Sequence, residues 1–172
     1  MKTNGLKFVV LLAAGSFASG AMAQGLGKVN RLSAALAHEA VGAAVAACAK
    51  SGYAVTAIIV NSDGVRQAML RGDGAPVHTL DSAYAKAYTA ASLAPVRKDD
   101  STKAISERIA KTPGVSTAGL SSLPYINFTP GGVTIVAGSE AIGGIGIGGA
   151  PGGNFDDECA RAALAQIRDR MK

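Results

Sequence analysis

The sequence predicts an α+β fold in which helices flank an antiparallel sheet of five strands. Segments with helical spacing of apolar residues alternate with short runs rich in β-branched residues. Tight turn signals at 61–64 and 138–140 join neighbouring runs directly. Strands that are joined by so short a turn pair antiparallel. The order helix, hairpin, helix, helix, meander, helix therefore predicts one α+β sandwich.

The first helix and the first hairpin follow from periodicity and turn residues. Apolar residues recur at helical spacing over 32–50, and Gly52 is typical of the position just after a helix ends. Residues 53–60 are apolar and rich in β-branched side chains, which predicts a buried strand. The turn at 61–64 returns the chain as the second arm of a hairpin, 65–70.

Two helices and a loop follow in the middle of the chain. Thr79 is placed to cap a helix over 79–93, and Pro95 closes that helix. A shorter helix begins at residue 101 or 102 and ends at 111, before a Pro-Gly pair. Residues 115–124 have no clear period, so we expect a loop there.

Three short strands and a helix complete the predicted fold. The strands cover 125–128, 133–137 and 141–147, with glycine-bearing turns between them. Asn154 and Asp156 are alternative caps for the last helix, whose apolar residues again recur at helical spacing. With the hairpin nearer the start, these segments give five strands and four helices.

Glycines alternate with isoleucines over 143–149. A dinucleotide-binding loop needs its glycines at the start of a helix, followed by a strand with an acidic residue about 20 positions further on. Here the glycines lie inside a predicted strand, which argues against nucleotide binding. They predict instead that a neighbouring element packs closely against the strand.

Residues 1–23 have the pattern of a secretory signal peptide. Lys2 and Lys7 give a positive start, 8–14 are apolar, and the Ala-Met-Ala at 21–23 fits a cleavage site. We therefore expect a periplasmic or secreted mature protein that consists of one domain, 24–172. The apolar run is too short to cross a bilayer, and no later segment is long and apolar enough to do so.

Charge and motifs exclude several classes of protein. Removing Lys2 and Lys7 from the 17 basic residues leaves 15 against 12 acidic ones, a net charge of +3. Basic residues are scattered and do not interleave with aromatic ones, which argues against a nucleic-acid partner. The Gly-x-Ser-x-Gly and His-Glu-x-x-His signatures of hydrolases are absent from the sequence.

Cys48 and Cys159 are the two cysteines, and each lies in a predicted helix. In an exported protein they can form a disulfide if the two helices lie side by side, since the Cα atoms must come within about 7 Å. The sequence does not give that distance, so two separate buried cysteines remain the alternative.

Chemically active residues are concentrated around the loop that precedes the second helix. Arg71, Asp73 and His78 lie in this loop, and the start of the helix adds a partial positive charge that suits a carboxylate ligand. Tyr84 and Tyr88 lie one turn apart on the helix itself and share a face. The ordinary role of such a tyrosine pair is packing.

Four motifs resemble the GlcG/HbpS-like family, a DUF336-type family of haem-binding proteins. They are Asp-Gly-Ala at 73–75, Lys-Ala-Tyr-Thr-Ala at 86–90, Pro-Gly-Gly-Val at 130–133 and Gly-Gly-Ile-Gly-Ile at 143–147. The resemblance runs from about Leu32 to the C-terminus. It implies a profilin-like sandwich with a five-stranded sheet, haem or a related tetrapyrrole as cofactor, and a homo-oligomer.

With haem as the ligand, the candidate residues take specific roles. His78 is the first candidate for the iron, as a neutral imidazole. Tyr84 and Tyr88 form either a flat aromatic wall or a phenolate ligand, and Met69 is a weaker axial candidate. His38 lies at the edge of the first helix's apolar stripe, where a surface position is the ordinary interpretation.

Basic residues complete the predicted site. Arg71, Arg97 or Lys98 pair with the haem propionates. Lys86 lies away from the tyrosine pair, where it contacts a ligand carboxylate or a neighbouring subunit. Asp73 is also a candidate cofactor-binding residue, and it shapes the loop.

The most direct functional interpretation is an exported haem- or tetrapyrrole-binding protein that serves scavenging, storage or redox sensing. The second is an enzyme that degrades haem or modifies a small acid, with Arg71, Asp73, His78 and Lys86 as its centre. The third is a non-catalytic, oligomeric scaffold subunit, because faces rich in alanine and glycine let backbones approach closely. Haem titration and ligand-induced stabilisation separate the three.

Overall fold

A computed structural model describes Gly25 and residues 27–171. The predicted signal peptide, 1–23, lies outside the described residues. The described part of the chain contains five α-helices, four strands and one short 3-10 helix. In order they are α1 Ala34–Lys50, β1 Thr56–Asn61, β2 Arg66–Arg71, α2 Thr79–Val96, α3 Thr102–Lys111, α4 Ala118–Ser121, β3 Gly132–Ala137, β4 Glu140–Gly148, α5 Gly153–Ile167 and the 3-10 helix Arg168–Arg170.

The strands form one antiparallel sheet in the order β2-β1-β4-β3. The predicted α+β class, with helices on an antiparallel sheet, is confirmed. β1 and β4 occupy the centre because their side chains are buried on both faces, whereas β2 is an edge strand with mostly exposed residues.

The predicted fifth strand, 125–128, is wrong. Its backbone bonds to side chains instead of a strand: the amide of Asn127 donates to the hydroxyl of Thr89, 2.9 Å away. At the outer edge of β3, the position next to Val133 is taken by Ser101, and the amide of Thr134 donates to the carbonyl of Asp100. The described sheet therefore has four strands.

Smaller corrections concern the ends of helices. Thr79 is the first residue of α2 and not its cap; its hydroxyl donates to the carbonyl of Pro76 and shares a second hydrogen bond with the hydroxyl of Thr56. Pro95 lies inside the last turn of α2. The last helix begins after Gly152 without a side-chain cap, and the short helix α4 lies where a loop was predicted.

The core has two layers, one on each face of the sheet. Helices α1 and α5 cover the face that carries Ile59, Ile145 and Ile147, all of which are fully buried. Helix α2 covers the other face and buries Ile58 and Val60. Burial of such side chains contributes about 25 cal/mol per Å² of apolar surface removed from water.

The glycines of β4 allow α2 to lie directly on the sheet, as their alternation with isoleucine predicted. A Cβ atom on Gly146 would stand 2.0 Å from the carbonyl oxygen of Ala83, and one on Gly144 would stand 2.4 Å from that of Ala87. No side chain fits into such a gap. This close contact with β4 sets the distance between α2 and the sheet, and with it the position of the residues on α2.

Cys48 of α1 and Cys159 of α5 form a disulfide, with Cα atoms 5.6 Å apart. The two helices pack side by side on the same face of the sheet, which answers the question that the sequence left open. The bond closes a loop of 111 residues between the ends of the domain. Among the described residues, no helix is long and apolar enough to cross a membrane.

Candidate functional site

The loop before α2 is exposed and held by its own arginine. The Nε of Arg71 donates to the carbonyl oxygen of Ala75 at 2.7 Å, and a terminal guanidinium nitrogen donates to the same oxygen. Asp73 and His78 are exposed, and His78 makes no capping hydrogen bond to the helix it precedes. Four cavities lie in the described part of the protein, and neither Arg71, Asp73 nor His78 lines any of them.

His78 and Tyr88 do not share one site. His78 precedes α2, whereas Tyr88 lies ten residues further along the same helix. At 1.5 Å of rise per residue their Cα atoms are roughly 15 Å apart. A single iron ion contacts at most one of them, so the predicted residues divide into two separate candidates.

Three tyrosines form a tyrosine cluster, which consists of Tyr84, Tyr88 and Tyr125. The ring of Tyr125 meets that of Tyr84 edge-on, with centroids 4.9 Å apart, and lies 6.0 Å from that of Tyr88. Tyr84 and Tyr88 are 6.1 Å apart. These separations are typical of favourable aromatic pairs. The cluster joins α2 to the segment between α4 and β3.

Contacts with the first hairpin fix the orientation of the cluster. The hydroxyl of buried Tyr84 donates to the carbonyl oxygen of Gly64 at 3.1 Å. The guanidinium carbon of Arg66 lies 3.5 Å from the centroid of the same ring, a cation–π contact. The ring of Tyr88 packs against Gly64, where a Cβ atom would stand only 2.5 Å from the ring carbon Cε2.

An apolar groove of about 500 Å³ opens beside the cluster. We call it the tyrosine groove; its walls come from α2, from α4 and from the segment that follows α4. They include Tyr88, Leu93, Leu120, Leu123, Tyr125 and Ile126. Tyr125 is 53% exposed and Tyr88 is half-buried, so both rings present surface to the groove.

Sequence reasoning found Tyr84 and Tyr88 but missed Tyr125 and Arg66. The helical spacing of the first pair was visible in the sequence, whereas the other two reach the cluster only through the tertiary fold. The Pro-Tyr pair at 124–125 next to a stretch without periodicity was the one available signal. Met69, the weaker axial candidate, lies exposed on β2.

Lys86 is buried inside the domain and takes part in an ion pair. Its ammonium group donates to Oδ2 of Asp156 at 2.7 Å, and their side chains are only 5% and 2% exposed. This pair replaces the predicted contact with a ligand or a neighbouring subunit. Burial raises the pKa of the Asp156 carboxyl, although the charge of Lys86 and a hydrogen bond from the amide of Ala150 act in the opposite direction.

Arg161 of α5 connects two acidic residues near the start of α3. Its Nε donates to buried Asp157 at 2.7 Å, and a terminal nitrogen donates to Asp100 at 2.9 Å. The hydrogen bond from Arg161 lowers the pKa of Asp100. Among the residues that the structure describes, no group of three His, Cys, Asp or Glu side chains is arranged to hold a metal ion.

A larger cavity, of about 650 Å³, lies between the start of α1 and the C-terminal residues. Leu32, Leu36 and Ile142 give it an apolar floor, and Arg31 and Arg170 stand at its rim. Both arginines form ion pairs with carboxylates: Arg31 lies 2.8 Å from Asp63, and Arg170 lies 2.5 Å from Glu39. No tyrosine or histidine lines this cavity, so it offers a bound iron no imidazole or phenol ligand.

A family model for the "haem degrading protein HbpS-like" matches residues 32–165. The chain belongs to the HbpS-like family. HbpS, of which a crystal structure is known, has 34% sequence identity to this HbpS-like chain. The match covers 83% of this chain and 94% of the HbpS chain, with a TM-score of 0.72. The resemblance drawn from the four motifs is therefore confirmed.

Two further solved structures agree with this assignment. A double mutant of HbpS from Streptomyces reticuli is 30% identical over 94% of the HbpS-like chain and 99% of its own, with a TM-score of 0.72. The protein in a PduOC:heme complex has 25% sequence identity, over 80% of the HbpS-like chain and 96% of its own, with a TM-score of 0.67. No curated protein matches the chain closely enough to count as a relative.

Proposed function

We propose that this protein binds haem in the tyrosine groove. The observation that carries the proposal is an apolar groove of about 500 Å³ with two partly exposed tyrosine rings in its wall. Ligand pockets of this size, with apolar walls and few polar groups, are typical of small-molecule sites. The family description and the haem complex of a relative support haem as the ligand.

The residues that line the tyrosine groove are of the types that bind haem. Leu93, Leu123 and Ile126 offer apolar surface to a porphyrin ring, and burial of that surface supplies most of the affinity. A tyrosine oxygen is an established axial ligand of haem iron, which makes Tyr88 and Tyr125 the candidates. Haem, when bound, supplies the iron chemistry; these side chains bind and orient it.

Arg97 is the best-placed partner for a propionate. It follows Leu93 by one helical turn at the C-terminal end of α2, so the two residues share a face. Lys98 comes next and is exposed. Arg71, the other predicted partner, donates to its own loop and lies near the opposite end of α2.

Titration with haemin tests the site. We expect Tyr88→Phe and Tyr125→Phe to weaken binding or to shift the Soret band, because each removes one candidate oxygen ligand while keeping the ring. Tyr53→Phe is the matched control, since Tyr53 packs on Phe155 at 5.3 Å and lies outside the groove. Metal-free protoporphyrin separates iron ligation from ring burial, because it should bind wild type and variants equally.

His78→Ala distinguishes the groove from the exposed loop. An unchanged affinity and spectrum in this variant remove His78 as the iron ligand, as we expect from its position. A lost Soret band in His78→Ala, together with normal spectra in both tyrosine variants, would contradict the groove and return the site to the loop.

Haem degradation is the second candidate function, and the family description favours it. The predicted centre of Arg71, Asp73, His78 and Lys86 is not assembled, because Lys86 is buried in its ion pair. A reaction would therefore depend on the groove. Reductant and oxygen discriminate the two functions: a binder keeps its Soret band, whereas a degrading enzyme bleaches it.

We further propose that the protein acts outside the cytoplasm, where it scavenges, stores or senses haem. The Cys48–Cys159 disulfide supports this location, since structural disulfides persist in oxidising compartments. N-terminal sequencing of protein from the cell envelope or the medium should begin at Gln24. An intact N-terminus on a reduced, cytoplasmic form would contradict the proposal.

Assembly into a homo-oligomer is also part of the proposal. Val65, Met69 and Leu70 are 61%, 54% and 39% exposed on or beside the edge strand β2; Met69 and Leu70 lie on opposite faces of this edge, which therefore offers apolar side chains on both faces for contact between copies. Light scattering of the purified protein measures the mass directly. A monomer at every concentration would exclude both the oligomer and the scaffold function.

A further inference from the structure

Tyr125 adopts a backbone conformation that its side chain disfavours. Its φ angle is +66°, and Lys98 is the other non-glycine residue of the described chain with a positive φ. An aromatic residue in the left-handed region persists only where its surroundings impose that conformation, and such residues are frequent at ligand sites. Some contact must therefore hold this segment in place.

The hydroxyl of Thr89 provides that contact. Thr89 is fully buried on α2, and its Oγ1 accepts a hydrogen bond from the amide of Asn127 at 2.9 Å. The same hydroxyl donates to the carbonyl of Ala85 at 2.8 Å, and the carbonyl oxygen of Tyr125 lies 3.3 Å away as a second acceptor. One side chain thus binds the backbone on both sides of Ile126.

A second link fixes the far end of the segment. The amide of Thr129 donates to the side-chain oxygen of Asn127 at 2.8 Å, and the hydroxyl of Thr102 donates to the carbonyl of Thr129 at 2.8 Å. The segment is therefore attached to α2 and α3 by side chains. Because α2 is held at a fixed height above β4, the attachment to Thr89 also sets the position of Tyr125.

We infer that Thr89 is a positioning residue that sets Tyr125 in the wall of the tyrosine groove. Thr89 does not line the groove; it acts through the backbone of residues 125–127. The inference rests on the proposed function, since the groove is the proposed haem site. The position of Tyr125 can nevertheless be measured without any haem.

Two substitutions and a control test the role. Thr89→Val keeps the shape and removes the hydroxyl, whereas Thr89→Ser keeps the hydroxyl. Thr134→Val is the matched control, because the hydroxyl of Thr134 donates to the carbonyl of Ala90, the residue after Thr89 on α2, at 2.8 Å without a hydrogen bond to the 125–127 segment. Thr89→Val removes the hydroxyl contacts to Ala85, Tyr125 and Asn127, whereas Thr134→Val removes a buried hydrogen bond from β3 to α2.

The first measurement is made on the haem-free protein. We expect nuclear Overhauser contacts between the rings of Tyr84 and Tyr125 in wild type, Thr89→Ser and Thr134→Val, and their loss in Thr89→Val. Hydrogen exchange of the Asn127 amide should be slow in wild type and fast in Thr89→Val. A fast-exchanging Asn127 amide in wild type would overturn the inference even if Thr89→Val fails to fold.

The second measurement is haemin affinity. We expect Thr89→Val to raise the Kd about tenfold, the size of effect that one lost hydrogen bond produces, while Thr89→Ser and Thr134→Val stay near wild type. If the ring contact is lost but haemin affinity is unchanged, the positioning role stands and the groove fails as the haem site. If Thr89→Val keeps both the ring contact and slow exchange, Thr89 does not position Tyr125.

Discussion

Single residues decide the shape of the tyrosine groove. Gly64 leaves no room for a larger side chain, since it packs directly against the ring of Tyr88. Its carbonyl oxygen also accepts the hydrogen bond from the Tyr84 hydroxyl. Its φ of +76° also belongs to the left-handed region, where other residues are strained. Gly64 therefore combines a backbone requirement with a steric one.

Gly64→Ala should lower stability and disturb the groove. The left-handed backbone costs about 1–2 kcal/mol for alanine, and the new methyl group displaces the ring of Tyr88. We expect a lower denaturation midpoint and weaker haemin binding. Gly52→Ala is the control, because Gly52 has φ of +78° with no atom near its missing Cβ. Equal haemin affinity in the two variants would contradict a role for Tyr88 in the site.

Lys86→Met should be strongly destabilising at neutral pH. It leaves Asp156 buried without its cation, a change that costs about 3–5 kcal/mol. Burial already raises the Asp156 pKa above its ordinary value of 3.8, and loss of Lys86 raises it further. The folded variant then binds the proton more tightly than the unfolded chain, so its stability deficit shrinks as pH falls toward 4.

Urea unfolding of Lys86→Met and wild type between pH 4 and 8 measures this dependence. The double variant Lys86→Met/Asp156→Asn is the control, because it carries no buried charge at this position. Its deficit should be smaller and nearly independent of pH in this range. A deficit of Lys86→Met that stays constant with pH would show that the buried carboxylate is not its cause.

The contact between α2 and β4 determines where the site residues of α2 stand. The helix carries Tyr84, Tyr88 and Thr89, and it can approach the sheet only because β4 has glycine at the contact positions. An ordinary β-strand would push the helix outward by the thickness of a side-chain layer. The glycines of β4 therefore act on the groove although none of them lines it.

Gly146→Ala should destabilise the protein by about 3 kcal/mol or more, because its Cβ atom would stand 2.0 Å from the backbone carbonyl of Ala83. Gly42→Ala in the interior of α1 is the control. No atom lies within 4 Å of the missing Cβ of Gly42, so that variant should gain about 0.5–1 kcal/mol. Thermal unfolding of both variants checks the pair, and equal melting temperatures would contradict the packing argument.

The disulfide is the covalent link between the two ends of the domain. It joins α1 to α5 on the face of the sheet opposite α2, 111 residues apart in sequence. Cross-links that close long loops restrict the unfolded chain most. Its contribution is thus to global stability, far from the groove.

Replacement of both Cys48 and Cys159 with alanine should lower the free energy of unfolding by about 2–5 kcal/mol. Reductant should lower the stability of wild type to a similar value and leave the double variant unchanged. Denaturant unfolding with and without reductant gives both comparisons. Haemin affinity below the unfolding transition should stay the same, and a selective loss of binding would show that the cross-link also shapes the groove.

Local pattern was sufficient for most of the fold. The turn residues at 61–64 and 138–140 predicted both hairpins, and helical periodicity predicted α1, α2, α3 and α5. The glycine alternation in β4 predicted close packing because it reports a local property, the absence of side chains. Patterns of this kind depend on neighbouring residues, which a sequence shows directly.

Contacts between distant residues were beyond the reach of the sequence. Residues 125–128 have the composition of a strand, but Thr89, 38 positions away from Asn127, takes the hydrogen bond that a strand neighbour would accept. Lys86 finds Asp156 across 70 positions. The sequence by itself determined the four longer helices, both hairpins and the family. The tertiary structure alone decided that Tyr84, Tyr88 and Tyr125 meet, because side-chain contacts between distant segments depend on how whole helices and strands pack.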